Sequence, residues 1–149
     1  MKIHQLQREI WLPRPRAEVF PFFADAGNLD ALTPPWLHFR ILTPPPIRMQ
    51  AGRRIEYRLR IHGLPVRWTT IIRAWEPPRR FVDEQARGPY RQWIHTHTFE
   101  ERDGGTLCRD EVLYAHWGGA LAHRWLVAPD LEKIFAYRQA KLLELFPRR

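Results

Sequence analysis

The chain has 149 residues, 44% of them hydrophobic, a formal net charge of +8 and one cysteine. This length suits a single domain with a substantial core, and no stretch approaches the roughly 20 apolar residues that span a membrane. One thiol excludes an intrachain disulfide, and the basic residues are scattered without a polybasic run or an RNP-like motif, so charge alone does not specify nucleic acid.

Residues Ile3 to Leu12 read as a first strand, with His4, Leu6, Arg8 and Ile10 on one side. Charged and polar residues interrupt this N-terminus, so it does not read as a signal peptide; with the lone Cys108, it places the chain in the cytoplasm. Cys108 has no catalytic motif around it and reads as a buried thiol. Pro13 and Pro15 end the strand, and Val19, Phe20, Phe22, Phe23 and Leu29 suggest two short helices broken at Gly27-Asn28. Pro21 is expected in or near a first turn, where its missing N–H costs nothing. Trp36 to Leu42 is expected as a short strand stopped by Pro44-Pro45-Pro46.

Two hairpins follow. Gly63-Leu64 suits a two-residue turn, which pairs Ile61 with Val66, Leu59 with Trp68, Tyr57 with Thr70 and Ile55 with Ile72. The opposite face then carries Arg58, Arg60 and Arg67, with Arg60 across from Arg67. Phe81 to Ala86 forms the next strand. The second hairpin, Tyr90 to Tyr114, turns at Asp103-Gly104-Gly105 and alternates with period two on both arms. Alternation groups Trp93, His95, His97 and Phe99 on one face, and Cys108, Asp110, Val112 and Tyr114 on the matching face. A two-residue loop sets His97 opposite Asp110, His95 opposite Val112 and Trp93 opposite Tyr114; a three-residue loop shifts parity and puts His97 opposite Glu111. One face thus carries aromatics, two imidazoles and a carboxylate, a mixture suited to a ligand cavity.

Beyond Gly118-Gly119 the period becomes helical. Leu131, Ile134, Phe135, Leu142, Leu145 and Phe146 form an apolar stripe, and Pro129 fits the first turn of a second helical segment. Arg138 lies on the same stripe, so it needs a partner: Asp110, a ligand carboxylate, or solvent at the rim. A lone amphipathic helix must bury its stripe against the sheet.

Three chemistries are open to these residues. The strand pair His95 and His97 can hold a metal if a third ligand comes from Asp110, Cys108 or His116, although a structural zinc site asks for four clear donors. His97 with Asp110 can act as a base and its orienter, with Tyr57, Tyr114 or Thr70 donating to a developing enolate. Trp68, Trp93, Phe99, Tyr114, Phe135 and Trp36 can line an apolar pocket or simply pack a core.

The order of elements resembles the helix-grip fold of the START/Bet v1-like (SRPBCC) superfamily over essentially the whole chain. The segments Leu32-Thr33-Pro34-Pro35-Trp36, Trp75-Glu76-Pro77-Pro78, Phe81-Val82-Asp83-Glu84-Gln85, Gly88-Pro89-Tyr90 and His97-Thr98-Phe99, with Trp68, Trp93, His95 and Asp110, are similar to a bacterial ligand-binding branch of it. Similar modules occur beside NAD-dependent epimerase-like domains; this chain carries no GxGxxG. The resemblance implies an α+β fold: a curved antiparallel sheet of about six or seven strands around a long C-terminal helix, two short helices after the first strand, and one domain over residues 1–149. It also implies a hydrophobic or aromatic ligand (lipid, isoprenoid or polyketide-like) held between sheet and helix, without metal or cofactor, in a monomer or homodimer. The expected contacts are Tyr57, Trp68, Trp93, His95, His97, Phe99, Asp110, Tyr114, Phe135 and Arg138, with the Leu32–Leu37 loop and Gly118-Gly119 gating access. A second reading is a cyclase or dehydratase using His97, Asp110 and His95. A third is an interaction module using the basic face around Arg58, Arg60, Arg67 and Arg73.

Overall fold

The computed structural model describes residues 1–148. The strands are β1 (His4–Leu12), β2 (Arg40–Ile41), β3 (Arg54–Ile61), β4 (Leu64–Glu76), β5 (Arg80–Arg87), β6 (Gln92–Arg102) and β7 (Gly105–Ala115). They form one seven-stranded antiparallel sheet in the order β1-β7-β6-β5-β4-β3-β2. Helices α1 (Arg16–Phe23) and α2 (Leu29–Leu32) follow β1, with a 3₁₀ turn at Ala26–Asn28 between them. The chain ends in α3 (Gly119–Ala122), a π-helical turn at His123–Val127, and the long α4 (Ala128–Leu145). This is the helix-grip arrangement that the order of elements implies.

The β6–β7 hairpin has the two-residue register: His97 faces Asp110, His95 faces Val112, Trp93 faces Tyr114 and Arg102 faces Gly105. Its turn puts Asp103 at φ 51° and Gly104 at φ 74°, the left-handed pair that matches strand twist. The β3–β4 hairpin uses the same device one residue earlier than expected. His62 (φ 50°) and Gly63 (φ 79°) form the turn, so Ile61 pairs with Leu64, Leu59 with Val66, Tyr57 with Trp68 and Ile55 with Thr70. Because the slip is by two residues, every side chain keeps its face. On the exposed side Arg58 therefore faces Arg67, Arg60 faces Pro65, and Arg73 pairs with Glu84.

Other differences have local causes. Trp36 lies in a 3₁₀ turn (Pro35–Leu37), and His38 at φ 46° breaks the chain again, leaving only Arg40–Ile41 as strand. Pro21 sits sixth in the eight-residue α1; burial of Val19 and Phe20 against the core holds the helix through the lost hydrogen bond. The last helix runs unbroken from Gly119, and the turn just before Pro129 widens to π, which a residue without an N–H tolerates. Leu145 is 42% exposed rather than on the buried stripe, which Leu131, Phe135, Arg138 and Leu142 complete.

Two apolar clusters hold α4 to the concave face. One gathers Leu12, Val19, Phe20, Leu32, Phe81, Phe99, Cys108, Leu142 and Phe146; the other gathers Leu6, Trp93, Val112, Tyr114, Leu131 and Phe135. Leu142 is 1% exposed at the centre of the first. Truncating it removes the transfer energy of its methyl groups and leaves a cavity that rigid neighbours fill poorly. Leu142→Ala is expected to lose about 2–5 kcal/mol in urea unfolding; a cost below about 1 kcal/mol would mean that α4 is not clamped as described.

Candidate functional site

Between the two apolar clusters, the concave face carries charge. Asp83 on β5 lies directly opposite His95, and Phe81 opposite His97, so docking β5 onto β6 adds a second carboxylate to the histidine pair. The two imidazoles stack with centroids 3.7 Å apart, and Phe81 stacks on His97 at 4.0 Å. His95 Nε2 donates to Asp110 Oδ1 at 2.8 Å, and His97 Nε2 donates to Asp83 Oδ2 at 2.5 Å. An ionised carboxylate has no proton to give, so both rings carry theirs on Nε2. His97 Nδ1 is left as an acceptor and faces Arg138 Nη2 at 3.5 Å; that guanidinium also reaches Asp110 Oδ1 at 3.4 Å.

The pairing differs from the sequence expectation in a way that matters chemically. Asp110 is opposite His97 in register, yet it orients His95, and His97 is oriented by Asp83. Asp83 stands in the Phe81–Gln85 segment but was not singled out as a site residue. Finding it needs the β5–β6 register, which no turn signal next to Asp83 supplies.

Electrostatics follow burial and partners. Burial and the neighbouring His95 push the His97 pKa down to about 4, against the upward pull of Asp83 and Asp110. Burial alone would raise the Asp110 pKa, but Arg138 and His95 together hold it below the usual carboxylate range. Asp83 behaves alike: burial raises it, and His95, His97 and Arg138 overcome that and lower it. Tyr57 is pushed up by burial and by Asp83. Burial also pushes the Cys108 thiol to about 12, so it is an inert part of the core.

Above this cluster lies a cavity of about 520 Å³ between sheet and α4. Tyr57, Trp68, Trp93, His95, His97, Phe135 and Arg138 line it, joined by Asp83, Phe23, Leu59, Leu131 and Ile134, which the sequence reading did not name as contacts. Phe99 and Tyr114 belong instead to the packed clusters, and Asp110 stands behind the wall, touching it through His95 and Arg138. Leu32, Thr33, Trp36 and Leu37 of the expected gate also line the cavity; Gly118 and Gly119 do not. His62 and Gly63 at the β3–β4 tip reach it too, and His62 Nε2 meets Asp130 Oδ2 at 2.6 Å across the mouth. Arg138 is 7% exposed, its Nη2 is engaged, and its Nε has no partner; among the described residues only Arg53 Nε is similarly buried and unpaired.

Asp83, His95 and His97 place ligand atoms within 4.8 Å of one another, so Asp83 joins Asp110, whose Oδ1 lies 2.8 Å from His95 Nε2 and 3.5 Å from His97 Nδ1, as a carboxylate beside the histidine pair. The adjacent guanidinium of Arg138 opposes a cation there. His116 belongs to a different histidine group, described below. No helix among the described residues is long and apolar enough to cross a membrane.

The family described as "Polyketide cyclase / dehydrase and lipid transport" matches residues 12–141. No curated protein matches the sequence significantly. Among solved structures, the chain is similar to the nucleoside-diphosphate sugar epimerase from Corynebacterium glutamicum (27% identity, TM-score 0.67, over 93% of this chain and 28% of that one). It is similar in fold to the Zhui aromatase/cyclase from a Streptomyces species (14% identity, TM-score 0.73, over 96% and 93% of the two chains). The major latex-like protein 151 of Panax ginseng shares the fold at 8% identity (TM-score 0.71, over 97% of each chain).

The depressed His97 pKa makes stability depend on pH. Above pH 6.5 neither the folded nor the unfolded imidazole holds a second proton; between 6.5 and about 4 the unfolded chain takes one up and the folded chain does not. Stability therefore falls as pH drops through that window, by on the order of 3 kcal/mol, and the lowered carboxylates Asp83 and Asp110 extend the loss to more acid pH. Thermal unfolding followed from pH 7 to 4 is expected to show this limb, and His97→Asn to flatten it. A wild-type midpoint constant across the window contradicts the assignment.

Proposed function

The chain belongs to the polyketide cyclase / dehydrase and lipid transport family, within the START/Bet v1-like superfamily, and from that premise we propose that it binds one hydrophobic or aromatic small molecule by its polar end. The single observation behind this reading is the Arg138 guanidinium, which lines a mainly apolar cavity and keeps one buried donor, Nε, without a partner. A buried donor without an acceptor costs about 1–3 kcal/mol. A ligand carboxylate, enolate or phenolic oxygen at that point removes the cost, while Trp68, Trp93, Leu131 and Phe135 take the apolar body. The class is lipid, isoprenoid or polyketide-like, and about 520 Å³ lies within the range of cavities that enclose such molecules.

One observation favours a second reading, acid–base catalysis of cyclase or dehydratase type. His97 is neutral, oriented by Asp83, and carries its basic lone pair on Nδ1. Its pKa of about 4 makes it a weak base near neutrality, and Arg138 occupies the accepting nitrogen, so binding ranks first.

Native mass spectrometry of freshly purified protein tests retention of an organic mass directly. The role of Arg138 is tested by titrating a long-chain fatty acid and its methyl ester against tryptophan fluorescence, which Trp68 and Trp93 on the cavity wall make sensitive. The acid is expected to bind at least about tenfold more tightly than the ester, and Arg138→Met to erase that preference. Equal affinities for acid and ester in the wild type would refute the polar-end assignment.

A further inference from the structure

A second constellation of imidazoles lies outside the cavity. His4 is the first residue of β1, His116 the first residue after β7, and His123 the first of the π-helical turn. Register explains their meeting: His4 faces Tyr114, so His116, two residues on, falls diagonally beside it on the same face. The entering helix then lays His123 over both. His4 and His123 stack at 3.7 Å, and His116 lies 5.2 Å from each, with all three rings near parallel.

We propose that His4, His116 and His123 bind a divalent cation of the zinc, nickel or copper class at a site separate from the ligand cavity. Their nitrogens lie within 4.8 Å of one another. His116 Nε2 and His123 Nδ1 face each other at 3.1 Å, close to the roughly 3.3 Å between two ligands of one tetrahedral ion with bonds near 2.05 Å. The other nitrogen of His116 donates to the Trp117 carbonyl at 2.8 Å, the support from behind that fixes a ligand ring and frees Nε2. Without an ion, two ring nitrogens must share one proton across that 3.1 Å gap; with one, both lone pairs are used. Among the described residues no carboxylate pairs with any of the three, so the usual reason for a histidine cluster is missing. Exposed Lys2 stands close to the group and works against a cation.

All three rings are half-buried, so water fills the fourth position. The donors come from both ends of the chain, and the unfolded chain does not hold them together. An ion here therefore fastens the start of the C-terminal helix to the β1–β7 edge and stabilises the folded state by linkage.

Isothermal titration of the untagged, chelator-treated chain with zinc chloride tests this, with cobalt(II) as a visible-absorption probe of coordination number. One zinc per chain is expected at micromolar or tighter affinity, with tetrahedral-type cobalt bands and a rise of at least about 4 °C in unfolding midpoint under excess zinc. His116→Ala and His123→Gln, each checked for native circular dichroism, are expected to weaken binding more than tenfold, and His97→Asn to leave it unchanged. The proposal is overturned by three results: no saturable binding below millimolar zinc, binding that survives both surface substitutions, or binding lost in His97→Asn alone.

Discussion

The left-handed turn at Asp103-Gly104 constrains everything on the concave face. A strand repeats every two residues, so a slip of one in β6 against β7 would carry Trp93, His95, His97 and Phe99 to solvent and bring Ile94, Thr96 and Thr98 in. Asp103 at φ 51° and Gly104 at φ 74° close the loop in two residues and forbid that slip. β5 then docks on β6 with Asp83 facing His95, and α4 supplies Arg138 from the other side. Two turns and one helix thus place five polar groups that are far apart in sequence.

Placing them is costly. A buried charge is tolerated only when paired and hydrogen-bonded, and even then an apolar replacement of the whole set is often as stable. The downward shifts of both aspartates show that pairing here outweighs burial, with Arg138 and the imidazoles supplying the compensating field. Compensation stops one atom short, at Arg138 Nε. Nor do the seven tryptophans fill the space beside it. Trp68 and Trp93 line the cavity, Trp36 is half-exposed at its rim, and Trp75 packs against the lower cluster. Trp117 and Trp125 face outward, and Trp11 is tied to the Arg102 carbonyl on the other edge. The aromatic payload surrounds the cavity without occupying it.

What could be read from the sequence was what depends on short range. The period-two pattern and the glycine turn gave the His97–Asp110 and Trp93–Tyr114 pairings, and the stripe around Arg138 gave the helix face. The β3–β4 turn was misplaced because His62 adopts a left-handed conformation, which only Gly63 beside it suggested; the two-residue slip preserved faces and lost pairings. Asp83 escaped because its role depends on the β5–β6 strand pairing across the Gly88-Pro89 turn, and the exchange of partners between His95 and His97 depends on ring orientation. Phe99 and Tyr114 were assigned to the cavity face correctly by parity, but parity does not say how far along a strand the cavity extends. The three-histidine group was invisible for the same reason as Asp83: its members lie at positions 4, 116 and 123 and meet only through the β1–β7 register and the first turn of the helix.

The geometry also orients whatever enters. The polar floor is fixed on β5, β6 and α4, whereas the mouth lies between the β3–β4 tip and the first turn of α4, where His62 meets Asp130. Those two side chains are partly exposed, with 54% and 29% of their surfaces accessible, so their contact is screened and weak compared with the buried network. The site therefore yields at the mouth and holds at the floor. An apolar molecule that fills the walls but offers no acceptor leaves Arg138 Nε as it was and gains only area. One that brings an oxygen to that nitrogen gains a charge-assisted hydrogen bond in a dry environment, where water cannot substitute for it. On the proposed binding mode, selectivity among hydrophobic ligands rests on the Arg138 guanidinium as well as on the shape of the cavity.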